Sequence, residues 1–307
     1  MTTFLLGCDP EVFVKKDGTP VSAYGLIPGD KKAPHKTERG AVQVDGMALE
    51  FNTNPVDYND FDGFNENIVR TKAALKTFLN ERGDGKYNIV EVPVMEFGAE
   101  YLAAQPEEAK ELGCDPDYDA YTLKPNPRPD GERPFRTGAG HVHVGWGADI
   151  PVDNEDHIAI CANFVKTLDA TVGLFMTFID RDPRRRELYG KAGAFRPKPY
   201  GVEYRTPSNV WIRNKDRRYM MHNLINRAIT HQQSGRAFFE LNGLTEVQTQ
   251  ALINGGDHGL AFAILDEKFR RAGKTVRDTW IRVDEEMQHF DVTEWKKKET
   301  EEGNGKK

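Results

Sequence analysis

The chain contains few cysteines and no excess of positive charge, and these shortages exclude several classes of protein. Its 307 residues include three cysteines (Cys8, Cys114 and Cys161) and no CxxC pair. Neither a disulfide framework nor a cysteine zinc site is therefore expected. Lys plus Arg total 42 against 48 for Asp plus Glu, a net charge of −6. This balance disfavours nucleic acid as a bulk electrostatic partner.

Long apolar segments and a basic leader are also missing. No uninterrupted apolar run approaches the roughly 18 residues needed to cross a bilayer, so no membrane partner is expected. The first residues, Met1–Gly7, lack a basic segment and are too short for a signal peptide, and they are predicted to enter a first strand. These absences favour the cytoplasm.

Three common catalytic and nucleotide-binding motifs do not occur. The GxxxxGK[ST] loop fails at Gly273-Lys274-Thr275, because Lys268 stands where the first glycine is required. No GxGxxG lies between a strand and a helix, and no GxSxG elbow is present. A nucleotide site in this chain would have to use another architecture.

Four separate stretches place charged or imidazole side chains at strand spacing. They are residues 7–14, 48–52, 138–145 and 201–207. Residues i and i+2 of a strand share a face, about 6.6–7 Å apart. The resulting same-face pairs are Asp9 with Glu11, His141 with His143, and Glu203 with Arg205. Such groups are too costly to cluster without compensating ions, so we expect hard cations and phosphate among them.

Each stretch also allows a plainer interpretation. Asp9 and Glu11 could be solvated acids on an edge strand, whereas Glu50, in an otherwise apolar strand, is either paired or a ligand. A lone histidine is usually a hydrogen-bonded core residue, but two in register favour a metal–phosphate site. Residues 195–207 could form a surface salt-bridge ladder. Alternatively, their arginine forks could bind phosphate oxygens beside a cation held by Glu203.

The order of elements predicts the fold class. Predicted strands cover residues 4–14, 42–53, 89–97, 139–146 and the region 194–212. Predicted helices cover residues 62–82, 106–112, 153–179 with Asp153 as N-cap, 215–233, 245–254, 258–272 and 275–289. Because regular strand–helix alternation is absent, we expect an α+β fold with a mainly antiparallel sheet.

The position of the charged stretches predicts the domain organisation. They must share one site, so residues 1–235 are expected to form a catalytic domain. Residues 236–291 would be a helical appendage of that domain, and residues 292–307 a disordered tail. Residues 113–137 lack periodicity and are either a functional lid or simply mobile.

Taken together, the stretches resemble the glutamine synthetase and glutamate–cysteine ligase superfamily. Residues 7–13 resemble its first-strand GxExE motif, residues 138–143 its glycine-rich HxH motif, and residues 203–207 its late ExRxP motif. The order of these motifs agrees across residues 1–210, and the set most resembles the compact carboxylate–amine ligases of bacteriophages. For a phage-encoded protein, the compartment would be the host cytoplasm.

This resemblance implies a curved antiparallel sheet with helices on its convex side and ATP and two or three Mg²⁺ or Mn²⁺ ions on its concave face. Glu11 and Glu50 would bind one ion, and a second would be bound by Asp9, His141 and Glu203. Contacts to the transferred phosphate would come from His143, Arg196 and Arg205, with Lys198 also stabilising the leaving phosphate. The sequence departs from the family pattern in having Asp9 in place of Glu, Gly201 in place of Arg, and no small N-terminal domain.

The expected function is an ATP-dependent carboxylate–amine ligase that forms an amide through an acyl phosphate. Its substrates would be small-molecule or peptide acids and amines, and its oligomeric state stays open. Asp182 and Glu187 are candidates for the general base of the amine. The alternatives are a guanidino- or amino-group phosphotransferase of related architecture, and a non-catalytic phage protein that keeps the fold.

Overall fold

One long strand organises an antiparallel sheet. The computed structural model describes residues 3–110, 117–127, 131, 133–147, 152 and 156–287. Its strands are β1 (Phe4–Lys16), β2 (Thr19–Val21), β3 (His35–Thr37), β4 (Gly40–Asp45), β5 (Ala48–Thr53), β6 (Val56–Asp57), β7 (Tyr87–Val90), β8 (Val94–Glu96), β9 (Tyr118–Asp119), β10 (Phe135–Thr137), β11 (Gly140–Trp146), β12 (Ala194–Lys198) and β13 (Gly201–Tyr204). The strand order is β3-β4-β5-β1-β11-β13-β12-β9, while β2, β6 and β7 also pair with β1. Strands β8 and β10 form a separate small sheet.

The helices lie mainly in the second half of the chain. They are α1 (Phe61–Glu81), α2 (Ala99–Ala103), α3 (Glu107–Lys110), α4 (His157–Leu168), α5 (Leu174–Ile179), α6 (Arg184–Leu188), α7 (Lys215–Ser234), α8 (Glu246–Gly255), α9 (His258–Arg270) and α10, which covers 274–287. All strand pairings of the described residues are antiparallel. The predicted α+β class is confirmed.

The strand register brings the charged stretches onto one face of the sheet. Directly paired residues project to the same side. The relevant pairs are Glu11 with Glu50, Asp9 with His141, His143 with Glu203, and Glu203 with Arg196. Because the side-chain period of a strand is two, Asp9 and Glu11 share this face, as do His141 and His143.

The opposite face of the sheet forms the main core. Leu6, Val142 and Val202 are fully buried there, in one cluster with Ile68 of α1 and Val165 of α4. Burying a side chain of this size contributes about 1.5–3 kcal/mol. The large helices thus cover one side of the sheet, and the side that carries the acids is left for a cavity.

Helices α4 and α5 form a continuous apolar segment with a π-helical turn, Asp169–Gly173, between them. By length and composition the segment His157–Ile179 could cross a membrane. However, 72% of its most apolar part is buried inside the protein. It is therefore a core helix, and α8 and α9 pack against α5.

Several predicted element boundaries change in the structure. The predicted strand 89–97 is wrong as a single element, because Pro93, which lacks an N–H donor, separates β7 from β8. The predicted strand 42–53 is a hairpin that turns at Gly46 and Met47. Helix α2 was not predicted at all, whereas the predicted helix 62–82 is confirmed as α1.

Other predictions fall partly on residues that the structure does not describe. Residues 113–137 contain β9 and β10, so the part that is described is not the structureless loop that was expected. The predicted cap Asp153 and the tail 292–307 lie outside the described residues, and α4 begins after Asp156. The division at residue 235 stays a prediction.

Candidate functional site

Three side chains from three neighbouring strands converge on one point. Asp9, His143 and Glu203 each offer a ligand atom, and these atoms lie within 4.8 Å of one another. Oδ1 of Asp9 and Nε2 of His143 are buried and 2.9 Å apart, yet neither has a hydrogen bond of proper geometry to the described residues. Carboxylate oxygen and imidazole nitrogen are donors that Mg²⁺ and Mn²⁺ accept. The donor set therefore fits a divalent cation.

The two histidines differ in their surroundings. Nδ1 of His141 lies 3.5 Å from both Asp9 Oδ1 and Glu203 Oε1, and 3.4 Å from Arg205 Nη1. Burial and Arg205 lower the pKa of His141, which favours a neutral ring. Burial acts to lower the pKa of His143 as well, but the neighbouring Asp9 outweighs it and raises that pKa. The sequence prediction named His141 as the ligand and His143 as the phosphate contact, but His143 lies in the tighter donor group.

Tyr200 orients one of these rings. Its Oη lies 2.5 Å from Nδ1 of His143, on the side of the ring away from Asp9. A partner on the second ring nitrogen fixes the tautomer and orientation of a histidine ligand. Tyr200 stands in the turn between β12 and β13, and no sequence pattern links it to β11.

Glu203 is surrounded by cations although it is only 1% exposed. Its carboxylate lies 2.6 Å from Lys198 Nζ and 3.3 Å from Arg196 Nη1, and Arg205 Nη1 contacts Oε1 directly. Burial and the nearby Asp9 act to raise the pKa of this carboxyl. The charges of Arg205 and the histidines outweigh them, and the pKa of Glu203 falls to about 2. A surface salt-bridge ladder is therefore excluded, because the carboxylate is buried.

Glu11 and Glu50 form a second acidic pair with the opposite electrostatics. Glu11 accepts a hydrogen bond from the Ala139 N–H at 3.0 Å, and Glu50 accepts one from Gln43 Nε2 at 3.0 Å. Burial, reinforced by Asp45, raises the pKa of Glu11 to about 7. Burial and the negative charge of Asp9 raise the pKa of Glu50 well above its ordinary value. A cation between them would relieve this repulsion, so this pair also fits a metal ion.

Two cavities adjoin this set of side chains. The charged cavity, of about 390 Å³, is lined by acids and by Lys31, Arg136, Arg196, Lys198 and Arg205. The apolar cavity, of about 470 Å³, is lined by Leu5, Gly7, Pro55, Gly145 and Tyr200 among others. Both are lined by Asp9 and Glu50. The candidate metal ligands thus lie where a charged space meets an apolar one.

Two acids at this site were not predicted from the sequence. Asp45 lines the charged cavity, with its Oδ1 2.6 Å from Lys31 Nζ. Asp45 lies two residues after Gln43 on β4, and this spacing could have indicated that both side chains share the face of the sheet that lines the cavity. Asp117 reaches the site through Arg205 Nε, 3.2 Å from its Oδ2, and had no such signal.

The two candidates for the general base are not among the lining residues. Asp182 accepts hydrogen bonds from Arg184 at 2.6–2.9 Å. Glu187 lies 3.8 Å from Arg133. Neither side chain is part of the cavity wall that carries the metal ligands.

Comparison with known proteins supports the resemblance noted in the sequence. Residues 133–260 match the family described as "Phage phiEco32-like COOH.NH2 ligase-type 2". The matched stretch contains His141, His143, Arg196, Glu203 and Arg205. The expected resemblance to phage-type carboxylate–amine ligases is thereby confirmed. No curated protein matches the chain.

Three similar solved structures are distant from this chain in sequence. A "novel glutamine synthase homolog" shares 9% identity, with 94% of this chain and 67% of that chain covered and a TM-score of 0.44. GmaS in complex with ADP shares 10% identity over 92% of this chain and 73% of that chain, with a TM-score of 0.40. GmaS without ligand shares 11% identity over 91% and 72%, with a TM-score of 0.37.

Proposed function

We propose that this protein is an ATP-dependent carboxylate–amine ligase that forms an amide bond through an acyl phosphate. The observation that carries the proposal is the convergence of Asp9, His143 and Glu203 at the boundary between a charged and an apolar cavity. The match to the phage-type ligase family supports the same reaction class.

The apolar cavity suits the base of the nucleotide. Its volume of about 470 Å³ lies in the usual range for small-molecule sites. Gly7 and Gly145 lie among its walls, so a planar ring can approach the backbone closely, beside Leu5 and Tyr200. The phosphate chain would then extend towards Asp9 and His143, which also line this cavity.

The charged cavity suits the acid and the amine. Lys31, Arg136 and Arg205 offer positive charge for a carboxylate in a space of about 390 Å³. Asp45 and the Glu11–Glu50 pair offer negative charge for the amine. Both substrates would therefore meet the phosphate at the shared acidic boundary.

Two cation positions follow from the donor sets. Asp9, His143 and Glu203, with His141 adjacent, would hold one ion, and Glu11 with Glu50 a second. Mg²⁺ or Mn²⁺ bound there would neutralise charge on the phosphate oxygens.

The reaction has two steps. The carboxylate oxygen of the acid attacks the γ-phosphorus of ATP and ADP leaves. The amine nitrogen then attacks the acyl carbon, and inorganic phosphate leaves with the proton that the amine loses. Arg196, Lys198 and Arg205 carry the positive charge that stabilises the leaving phosphate. Holding the two substrates and ATP in one site supplies a large entropic share of the rate.

The test incubates the protein with Mg²⁺, ATP and a broad pool of amino acids, and measures ADP. We expect ADP release that requires both an acid and an amine, and a product heavier than the acid by the amine minus water in mass spectrometry. Glu11→Gln should abolish it, whereas Glu81→Gln, exposed at the end of α1, should not.

Other outcomes identify the alternatives. A stable phosphorylated amine or guanidino compound without an amide would indicate a phosphotransferase. Folded protein whose melting temperature does not respond to Mg²⁺-ATP would indicate a non-catalytic protein, since ligand at 100 times Kd should stabilise by about 2.7 kcal/mol.

A further inference from the structure

Behind the sheet, three hydroxyl groups lie around one buried carboxylate. Asp169 begins the π-helical turn between α4 and α5 and is 0% exposed. Its Oδ1 accepts a hydrogen bond from Tyr204 Oη at 2.6 Å. Thr206 Oγ1 lies 3.4 Å from the same oxygen, but its proton is directed to the Lys191 carbonyl at 2.9 Å. Oδ2 of Asp169 accepts a hydrogen bond from Tyr121 Oη at 3.0 Å. One side chain thus joins three segments of the protein from the core side.

The first two hydroxyls belong to the residues on either side of Arg205. Along an extended chain neighbouring side chains alternate between faces, so Tyr204 and Thr206 point away from the cavity that Arg205 lines. The Arg205 backbone is held in the sheet by its N–H, which donates to the Ala194 carbonyl at 2.8 Å. Asp169 therefore binds one neighbour of a cavity arginine and contacts the other, and it is not among the residues that line the cavity.

The third hydroxyl belongs to the hairpin at residues 117–127. This hairpin joins the edge of the sheet, where Tyr118 pairs with Phe195. At its start Asp117 accepts a hydrogen bond from Arg205 Nε at 3.2 Å. Tyr121 therefore ties to the core the same hairpin that contacts the Arg205 guanidinium.

We propose that Asp169 is a positioning residue for Arg205. Its Oδ1 holds the strand through Tyr204, and its Oδ2 holds the hairpin, with Asp117, through Tyr121. The inference rests on the proposed function only in taking Arg205 to contact phosphate. Burial raises the pKa of Asp169 to about 7 in spite of these donors, so the carboxyl lies in a costly environment.

The geometry predicts whether a conservative substitution of Asp169 disrupts its bond to the strand or its bond to the hairpin. Asp169→Asn removes the charge and replaces one acceptor oxygen by an NH₂ group. The remaining oxygen accepts from Tyr204, so the Tyr121 hydroxyl loses its charged acceptor and can only accept a weaker bond from the amide. Asp169→Asn should therefore behave like Tyr121→Phe. Tyr204→Phe should affect the strand and leave the hairpin in place.

The experiment measures hydrogen exchange and nucleotide affinity for these three variants of the full chain. The hairpin reporters are the amides of Asp119, Leu123 and Asn126, which donate to carbonyls within the hairpin. Thr171→Val is the matched control, because Thr171 is buried in the same turn and donates only to helix carbonyls. The nucleotide probe is a non-hydrolysable ATP analogue with Mn²⁺.

We expect Asp169→Asn and Tyr121→Phe to speed exchange in the hairpin about tenfold, the loss of one hydrogen bond to a charged acceptor, without speeding exchange in β1 or α7. Affinity for the analogue should fall in both, and Thr171→Val should change neither quantity. Exchange that accelerates evenly over the domain, or an unchanged hairpin in both variants, would overturn the inference. If Asp169→Asn does not fold, the two tyrosine variants decide.

The outcome is separable from that of the ligase proposal. If the wild type binds no analogue, the ligase proposal fails, while hairpin exchange still tests Asp169. If Arg205→Ala loses the analogue and Asp169→Asn does not, the positioning role fails and the ligase proposal stands.

Discussion

Glu11 and Glu50 lie directly opposite each other in the antiparallel pairing of β1 and β5, two acids at a position where cross-strand neighbours touch. Elsewhere on the same face, Glu203 is enclosed by Arg196, Lys198 and Arg205. The same change of charge should therefore have opposite effects on stability at the two places.

Glu11→Gln or Glu50→Gln should leave metal-free protein as stable as the wild type or more stable by about 0.2–1 kcal/mol, because a like-charge pair is removed. Each variant should lose turnover and part of the rise in melting temperature that Mn²⁺ gives the wild type. Thermal melting with and without Mn²⁺ measures this, with Glu81→Gln as control. Full Mn²⁺ stabilisation in both variants would contradict the second cation position.

Glu203→Gln should lower the free energy of unfolding by about 3–5 kcal/mol, since it leaves three cations around a buried site without their counter-charge. Urea unfolding without added metal measures the loss. A loss no larger than that of Glu11→Gln would show that the cations find other partners.

Tyr200→Phe should weaken Mn²⁺ binding about 10- to 100-fold, because it removes the group that orients the His143 ring. Tyr200 is 45% exposed, so the fold should not change. Titration followed by electron paramagnetic resonance measures the affinity, and Tyr24→Phe, exposed to 44%, is the matched control. Equal Mn²⁺ affinities in the two variants would show that Tyr200 does not contribute to metal binding.

The Gly145→Ala variant should fold normally but bind ATP more weakly. Its added Cβ would meet Tyr200 O at 3.4 Å, an ordinary contact, but would project into the apolar cavity. A misplaced methyl group costs about 1 kcal/mol or more, so KM for ATP should rise at least fivefold.

A second glycine provides the contrast. The Cβ of Gly140→Ala would lie 2.3 Å from Ser208 O, so that variant should be destabilised instead. An unchanged KM for ATP in folded Gly145→Ala would show that the nucleotide base does not bind in the apolar cavity.

Asp169 should make stability fall with rising pH. Its pKa is raised in the folded state from 3.8 to about 7, so the folded protein retains a proton that the unfolded chain releases. The stability linked to that proton is complete below about pH 4 and is lost as the pH rises through about 7. Unfolding by urea at pH 5 and pH 8 should therefore show a smaller pH effect in Asp169→Asn than in the wild type or Thr171→Val.

The pairing of charged side chains on one face could be predicted, because strand alternation depends only on spacing. The four stretches joined one sheet as expected, and α1 was recoverable from its apolar period and the exit at Gly83. The break at Pro93 also had a signal in the sequence, which the apolar character of its neighbours outweighed.

The choice between His141 and His143 could not be predicted, because it depends on how far each ring reaches across β1 and β13. The same holds for Tyr200 and Asp117, which reach the site from a turn and from an edge hairpin. The role of Asp169 could not be predicted for another reason. An acid within an apolar helix has no periodic partner, and the hydroxyl groups around it, from Tyr121, Tyr204 and Thr206, are all far from it in the sequence.

The central place of β1 also has a consequence for synthesis of the protein. This strand is synthesised long before its partner β11 and the adjoining β13, which are among the last of the described strands in chain order. Pairing over such long chain separations is slow, and unpaired strand edges tend to aggregate meanwhile. Nascent chains that stall before residue 207 should therefore depend on chaperones, and truncated products should be insoluble.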